Sequence, residues 1–285
     1  MVHKISLPTK AEIEQLNHYA PIFNAEVGGA LRWVMRQLGI SVKLLEKRIS
    51  GVSSSAWRSY TQMSYTQNRP LHVMAAFSWL TQVSMLAFFR GKHIQNYWPA
   101  VCNETIQSII TSGLLPEEQF LRCMQLMAAK LDRRDYQVSS EVIPLLEAIP
   151  YFQDRFLMPQ KLEIDDFKAD YYRSIAIQLK QFRHQQQIPI EVLAAVINEP
   201  VTRTEAFEDP DNPVSIPAFA AVRLKLGFKL DDTVMFTSGM SRYQHFYHSK
   251  QVQQARSQVL LALMGPISLP ERRRINSFIQ SIVEI

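Results

Sequence analysis

The stretch ALRWVMRQLGISVKLLEKRISGVSSSAWRSYTQ, residues 30–62, reads as three helices separated by two turns. Leu31, Val34, Met35 and Leu38 recur at helical spacing, and Gly39 stands where a chain leaves a helix through a left-handed residue. Ser41 is placed to cap a second helix, Ser41 to Ile49, whose apolar face is Leu44, Leu45 and Ile49. A turn containing Gly51 comes next, and Ser53 is placed to cap a third helix. In that helix Trp57 and Tyr60, three residues apart, share the inward face, which turns Ser54, Ser55, Arg58, Ser59 and Gln62 outward. Beyond it Pro70 suits the first turn of a fourth helix, and Trp79, Leu80, Met85, Leu86, Phe88 and Phe89 supply core.

The rest of the chain is compatible with this helical reading. Its 285 residues, 47% hydrophobic and 20% charged, are those of a globular protein, and only nine glycines leave few positions for phosphate loops or tight hairpins. An all-α fold is expected. Cys102 and Cys123 have no paired spacing, so neither a disulfide framework nor a thiolate metal site is suggested. The first residues, MVHKISLPTKAEIEQL, lack the apolar core of a secretory signal. The uncharged run from Val73 to Phe89 is interrupted by Ser78, Thr81, Gln82 and Ser84, and falls short of the roughly 20 apolar residues that a spanning helix needs. A cytoplasmic protein without membrane association is expected.

The sequence also repeats itself. Residues 30–49 lie over QLKQFRHQQQIPIEVLAAVI, residues 178–197, with Leu31 on Leu179, Leu45 on Leu193 and Ile49 on Ile197. MAAFSWL (74–80) resembles FAAVRLK (219–225), and LLPEEQFLRCMQLMAAKL (114–131) resembles SLPERRRINSFIQSIVEI (268–285), in the same order. This predicts a duplicated helical unit, with a first copy in residues 1–150 and a second in 151–285.

The segments LRWVMR, GIS, VKLLEKRI, GVS, SSAWRSYTQ and RPLHVMAAF resemble, in order, the lambda repressor and Cro-like (XRE-type) helix-turn-helix domains. The resemblance spans about 28–90 in the first copy and about 171–237 in the second. Glu46 departs from the family, which favours a small residue at that position. The resemblance implies double-stranded DNA as partner, with the third helix in the major groove. Ser54, Ser55, Arg58, Ser59 and Gln62 are then the base-reading candidates, because Arg pairs bidentately with guanine, Gln with adenine, and Ser with either. Arg32, Lys43, Lys47, Arg48, Ser53 and Arg69 are the phosphate candidates.

Charge separates the two copies. Between Gly28 and Trp98 nine basic residues face only Glu46, as expected where phosphates are neutralised, whereas between Tyr171 and Arg242 eight basic residues are balanced by eight acidic ones. The corresponding segment of the second copy, TRTEAFEDP, carries Glu205, Glu208 and Asp209, so Thr202, Arg203 and Thr204 are weaker candidates for DNA contact.

Little else suggests chemistry. No dinucleotide fingerprint, P-loop, nucleophile elbow or zinc spacing occurs. His245 and His248 lack a nearby cysteine or carboxylate, Asp165 and Asp166 read as helix caps, and ERRR at 271–274 reads as a surface run. The expected function is transcriptional regulation by sequence-specific DNA binding, in a bacterium, phage or mobile element, with a homodimer supplying two basic first copies. No enzymatic activity, cofactor or metal is expected. The rival reading is a helical adaptor that docks on RNA polymerase or another regulator and reads no sequence itself.

Overall fold

The computed structural model describes residues 5–89, 101–113, 115–230 and 236–283; Arg90, Lys92, Asp231 and Asp232, which enter the charge counts above, lie outside them. The described chain is mostly helical, with thirteen α-helices and a sheet of two very short strands. In order these are α1 (Lys10–Gln37), α2 (Val42–Arg48), β1 (Ile49–Ser50), α3 (Ser54–Tyr60), α4 (Leu71–Thr81), α5 (Asn103–Ser112), α6 (Glu117–Asp132), α7 (Ser139–Glu147), β2 (Leu162–Glu163), α8 (Ile164–Gln185), α9 (Ile190–Ile197), α10 (Val201–Phe207), α11 (Ala218–Gly227), α12 (Gln244–Met264) and α13 (Leu269–Val283). Single 3-10 turns occupy Met85–Phe88 and Asp154–Phe156.

Local signals set most of the early boundaries. Thr9 and Glu12 close a reciprocal capping box at the start of α1, and Leu16, Tyr19, Phe23, Val27, Leu31 and Val34 form its buried stripe. Gly39 then takes φ +63°, and Ser41 caps α2 by accepting the Leu44 amide at 3.1 Å. The apolar face of α2 is narrower than its sequence predicts. Leu45 and Ile49 are buried one turn apart, while Leu44, one residue off that line, is 39% exposed. Asp165 and Asp166 lie in the first turn of α8 rather than at its cap, and Asp166 pairs with Arg242 at 2.8 Å.

The segments α1–α4 and α8–α11 have the same order and similar helix lengths. Gln187, two residues past the end of α8, takes φ +56° as Gly39 does after α1. They meet at Pro70 and Pro217, the N-cap residues of α4 and α11. The first amide of a helix has no acceptor within that helix. Here the Leu71 amide donates to the Ile216 carbonyl at 3.0 Å and the Ala218 amide to the Arg69 carbonyl at 2.8 Å, so each helix start satisfies the other.

Further contacts make the two halves share one apolar core. Phe23 of α1 packs on Phe219 of α11 with ring centres 4.6 Å apart, and Trp79 of α4 packs on Phe246 of α12 at 5.4 Å. β1 pairs in parallel with β2, which docks the turn after α2 against the start of α8. The connection between the halves is itself packed down, with the Trp79 indole donating to the Phe156 carbonyl at 2.8 Å. Among the described residues no helix is long and apolar enough to cross a membrane.

His72, at the start of α4, is buried against α8. Tyr172 Oη accepts the His72 amide at 3.2 Å and lies 2.9 Å from its Nδ1 and 3.2 Å from the Ile216 carbonyl. Burial, with a smaller effect from Lys168, pushes the imidazole down from 6.5 to about 4. Between those values the unfolded chain binds a proton that the folded chain refuses. Stability from this site is therefore complete above pH 6.5 and falls as the pH drops toward 4, by about 3 kcal/mol in all. Urea unfolding at a series of pH values should show this fall, and His72→Phe should flatten it. A level wild-type profile across the same window would contradict the assignment.

Candidate nucleic-acid interface

The third helix has seven residues, too few for a helix to persist alone in water, so its placement depends on tertiary contacts. Trp57 provides the main one. Its indole is fully buried, edge-on to Tyr60 at 6.2 Å and tilted on Phe77 of α4 at 6.0 Å; burial of a large aromatic contributes roughly 3 kcal/mol. With Trp57 inward, Ser55 and Arg58 are exposed about one turn apart on the outer face of α3, and Gln62 is exposed past its end. Gln62 lies just beyond the Thr61 cap.

Both ends of α3 are fixed. At the start, Ser53 Oγ accepts the Ala56 amide at 3.2 Å, and Glu46 of α2 accepts both the Ser54 amide, at 3.2 Å, and the Ser54 hydroxyl. These hydrogen bonds, with help from Arg58, hold the Glu46 carboxyl below its usual range. The Glu46 carboxylate thus ties α2 to the positive end of α3. At the far end, Arg32 Nε of α1 donates to the Thr61 carbonyl at 3.1 Å, and Gly28 allows α1 to lie against the Gln62 carbonyl, where a Cβ would also fall 2.7 Å from Arg69 Nη2.

Arg69 corrects the expectation of a phosphate contact. It is 1% exposed, and its guanidinium donates to the Tyr60 carbonyl (2.8 Å), the Gln62 carbonyl (3.0 Å) and Asn24 Oδ1 (3.2 Å) while lying over the Tyr65 ring. It is a strut for the loop after α3, and burial lowers its pKa to about 10 without discharging it near neutrality. Arg48 is also diverted. Half-buried, it donates to the Met158 and Pro159 carbonyls at 3.4 and 3.3 Å, bridging α2 to the connection between the halves. Ser54 and Ser59 are half-buried, and Ser54 is committed to Glu46.

What is left at the surface is a basic field. Lys43 and Lys47 on α2 and Arg36 on α1 are exposed, and none has an ion-pair partner among the described residues. Arg32 is exposed too, with its outer guanidinium nitrogens outside the Thr61 contact. Sequence reasoning misses Arg36; its place one turn beyond Arg32 on the same helix face is the signal that marks it.

The corresponding helix of the second half is closed off by its own charges. Arg203 is paired with Glu199 at 3.3 Å and lies over the Phe207 ring, and Arg183 makes a bidentate pair with Glu208 at 2.7 and 2.8 Å. Thr204 is buried, its hydroxyl donating to the Pro200 carbonyl at 3.0 Å, which corrects its candidacy for DNA contact. Thr202 alone of the three is exposed and free of such contacts among the described residues. His245 and His248 pack beside the Phe156 ring, and no metal-binding cluster occurs among the described residues. In the 271–274 run, Glu271 pairs with Arg134 and Arg274, and Arg273 with Glu104.

The two arginines should therefore respond differently to substitution. Arg69→Met strands two carbonyls beneath the loop and should cost about 3 kcal/mol in urea unfolding. Arg58→Ala removes an exposed side chain and should stay within about 0.5 kcal/mol of wild type. Equal losses would mean that the burial of Arg69 is misjudged. Comparisons with family models, curated proteins and solved structures find no match to this chain.

Proposed function

We propose that the chain is a duplicated helix-turn-helix protein of the lambda repressor and Cro-like type that binds double-stranded DNA through its first copy and regulates transcription in the cytoplasm. The observation that carries the reading is the surface of α3. Ser55 and Arg58 form an exposed line on a helix pinned from behind by Trp57, with exposed Gln62 just past its end, and Arg36, Lys43 and Lys47 on α1 and α2 are exposed cations with no ion-pair partner among the described residues. Side chains of these types suit base edges, and a field of unpaired cations suits the phosphates on either side. α10 supports no comparable reading, because its arginine is already paired and Glu205 and Asp209 would face a phosphate backbone.

A neutral second copy leaves one reading helix per chain, so a symmetric operator calls for a homodimer. Leu126 on α6 and Phe278 on α13, outside both four-helix segments and exposed, support a self-contact there. No catalytic step, cofactor or metal belongs to the proposal.

A helical adaptor that docks on RNA polymerase or another regulator is the second reading, favoured by Leu44 and Met63, which are 39% and 60% exposed in and just after the α2–α3 segment. Mobility shifts under a salt titration separate the two. A groove reader loses affinity steeply with salt yet keeps its preference for one sequence, whereas an adaptor has no sequence preference to keep. Arg58→Ala should cost about 1 to 3 kcal/mol at the preferred site and relax selection at one base pair. Lys43→Ala should weaken all DNA alike and flatten the salt slope by about one unit. Arg203→Ala should change little. If Arg58→Ala binds like wild type while Arg203→Ala abolishes specific binding, the roles of the two copies are reversed.

A further inference from the structure

Between α4, α8, α11 and α12 lies a cavity of about 180 Å³, comparable with the roughly 150 Å³ apolar cavities that stay dry and take up benzene. Leu71 of α4, Tyr171 and Ile175 of α8, Phe207 at the end of α10 and Phe246 of α12 wall it, so both halves of the chain contribute. No acidic side chain among the described residues lines it, yet Lys250 of α12 and Lys225 of α11 do.

Lys250 is half-buried, and it is held differently from the other cations withdrawn from solvent. Arg69 is satisfied by three oxygens and Arg183 by the two oxygens of Glu208. Lys250 Nζ has only Ser78 Oγ at 3.4 Å and Gln253 Oε1 at 3.5 Å, both at the limit of hydrogen bonding, and no carboxylate partner among the described residues. An ammonium in apolar surroundings is costly unless a counter-charge reaches it. Among the described residues the cavity thus combines apolar walls and two lysines with no counter-charge, which an anion attached to an apolar body would supply. We propose that it is a binding site for a small amphipathic carboxylate, with an apolar part the size of one aromatic ring or a short alkyl chain among the aromatic and aliphatic walls and the carboxylate on Lys250.

The electrostatics agree with the geometry. Burial, with the like charge of Lys225, pushes the Lys250 amine down to about 7, the cost that a bound carboxylate would relieve. The site does not depend on the DNA reading, since none of the α3 surface residues lines it.

Titration calorimetry of the full chain at pH 7, with sodium octanoate and with octan-1-ol as its uncharged counterpart, tests the proposal. Octanoate should bind about ten- to a hundred-fold more tightly than the alcohol, the range expected for a hydrogen-bonded charge pair. Lys250→Met should erase that preference, and Ala221→Phe, which fills the cavity from α11, should abolish binding of both. Circular dichroism checks that each variant folds, and Lys250→Arg, which keeps the charge, should retain a preference for the acid if Lys250→Met does not fold. Equal affinity of acid and alcohol for the wild-type chain, failure of octanoate to bind, or octanoate binding unchanged in Ala221→Phe would each overturn it.

Discussion

Burial of Trp57 is the contact on which the candidate surface depends. A seven-residue helix does not persist on its own in water, and the packing of Trp57 on Phe77 of α4 is the main contact that holds α3 against the fold. That anchor sets which residues look outward. Glu46 and Ser53 fix the start of the helix, while Arg32, Gly28 and Arg69 fix the turn and loop beyond its end. The serine- and arginine-rich outer face is therefore presented by rigid neighbours rather than by a loop, which is a requirement for a surface that recognises geometry and not only charge.

The second constraint joins the halves. Orphan amides at the starts of α4 and α11 find acceptors only in each other's leading segments, and a proline caps each helix, so neither start is satisfied without the other. The β1–β2 pair, the Arg48 bridge and the Phe23–Phe219 contact extend the same coupling. The two four-helix segments are thus packed against each other at their helix starts, and the cavity walled by Leu71 and Phe207 lies at this junction.

The legible part of the sequence was local. Ser41, Ser53 and Gly39 act where their chemistry places them, and Pro70 stands one residue before the turn expected for it, at the N-cap, because capping and left-handed turns are decided within a few residues. The helical class follows from periodicity, caps and the low glycine count, and the inward turn of Trp57 from its spacing to Tyr60. Burial of polar groups was not legible. Arg69 and Arg48 read as surface residues until Asn24 and the 158–159 carbonyls, 45 to 111 positions away, engage them, and Thr204 is buried by the packing of its helix face. Leu44 shows the converse, an aliphatic in a helical pattern that the narrow face of α2 leaves outside. The extent of α1 escaped as well. Pro21 would end a helix on local grounds, yet the stripe from Leu16 to Val34 continues through it because tertiary packing outweighs the lost hydrogen bond.

The most direct test of the central claim is a selection of fragments bound by the full chain from genomic DNA, run beside a Ser55→Ala, Arg58→Ala, Gln62→Ala triple variant that leaves the anchored face of α3 intact. The account predicts that the wild-type chain enriches one recurrent sequence, that its two halves are related by symmetry, and that the triple variant recovers no such sequence while still folding. Recovery of the same sequence by both proteins would contradict it, and so would fragments with no common sequence from the wild-type chain.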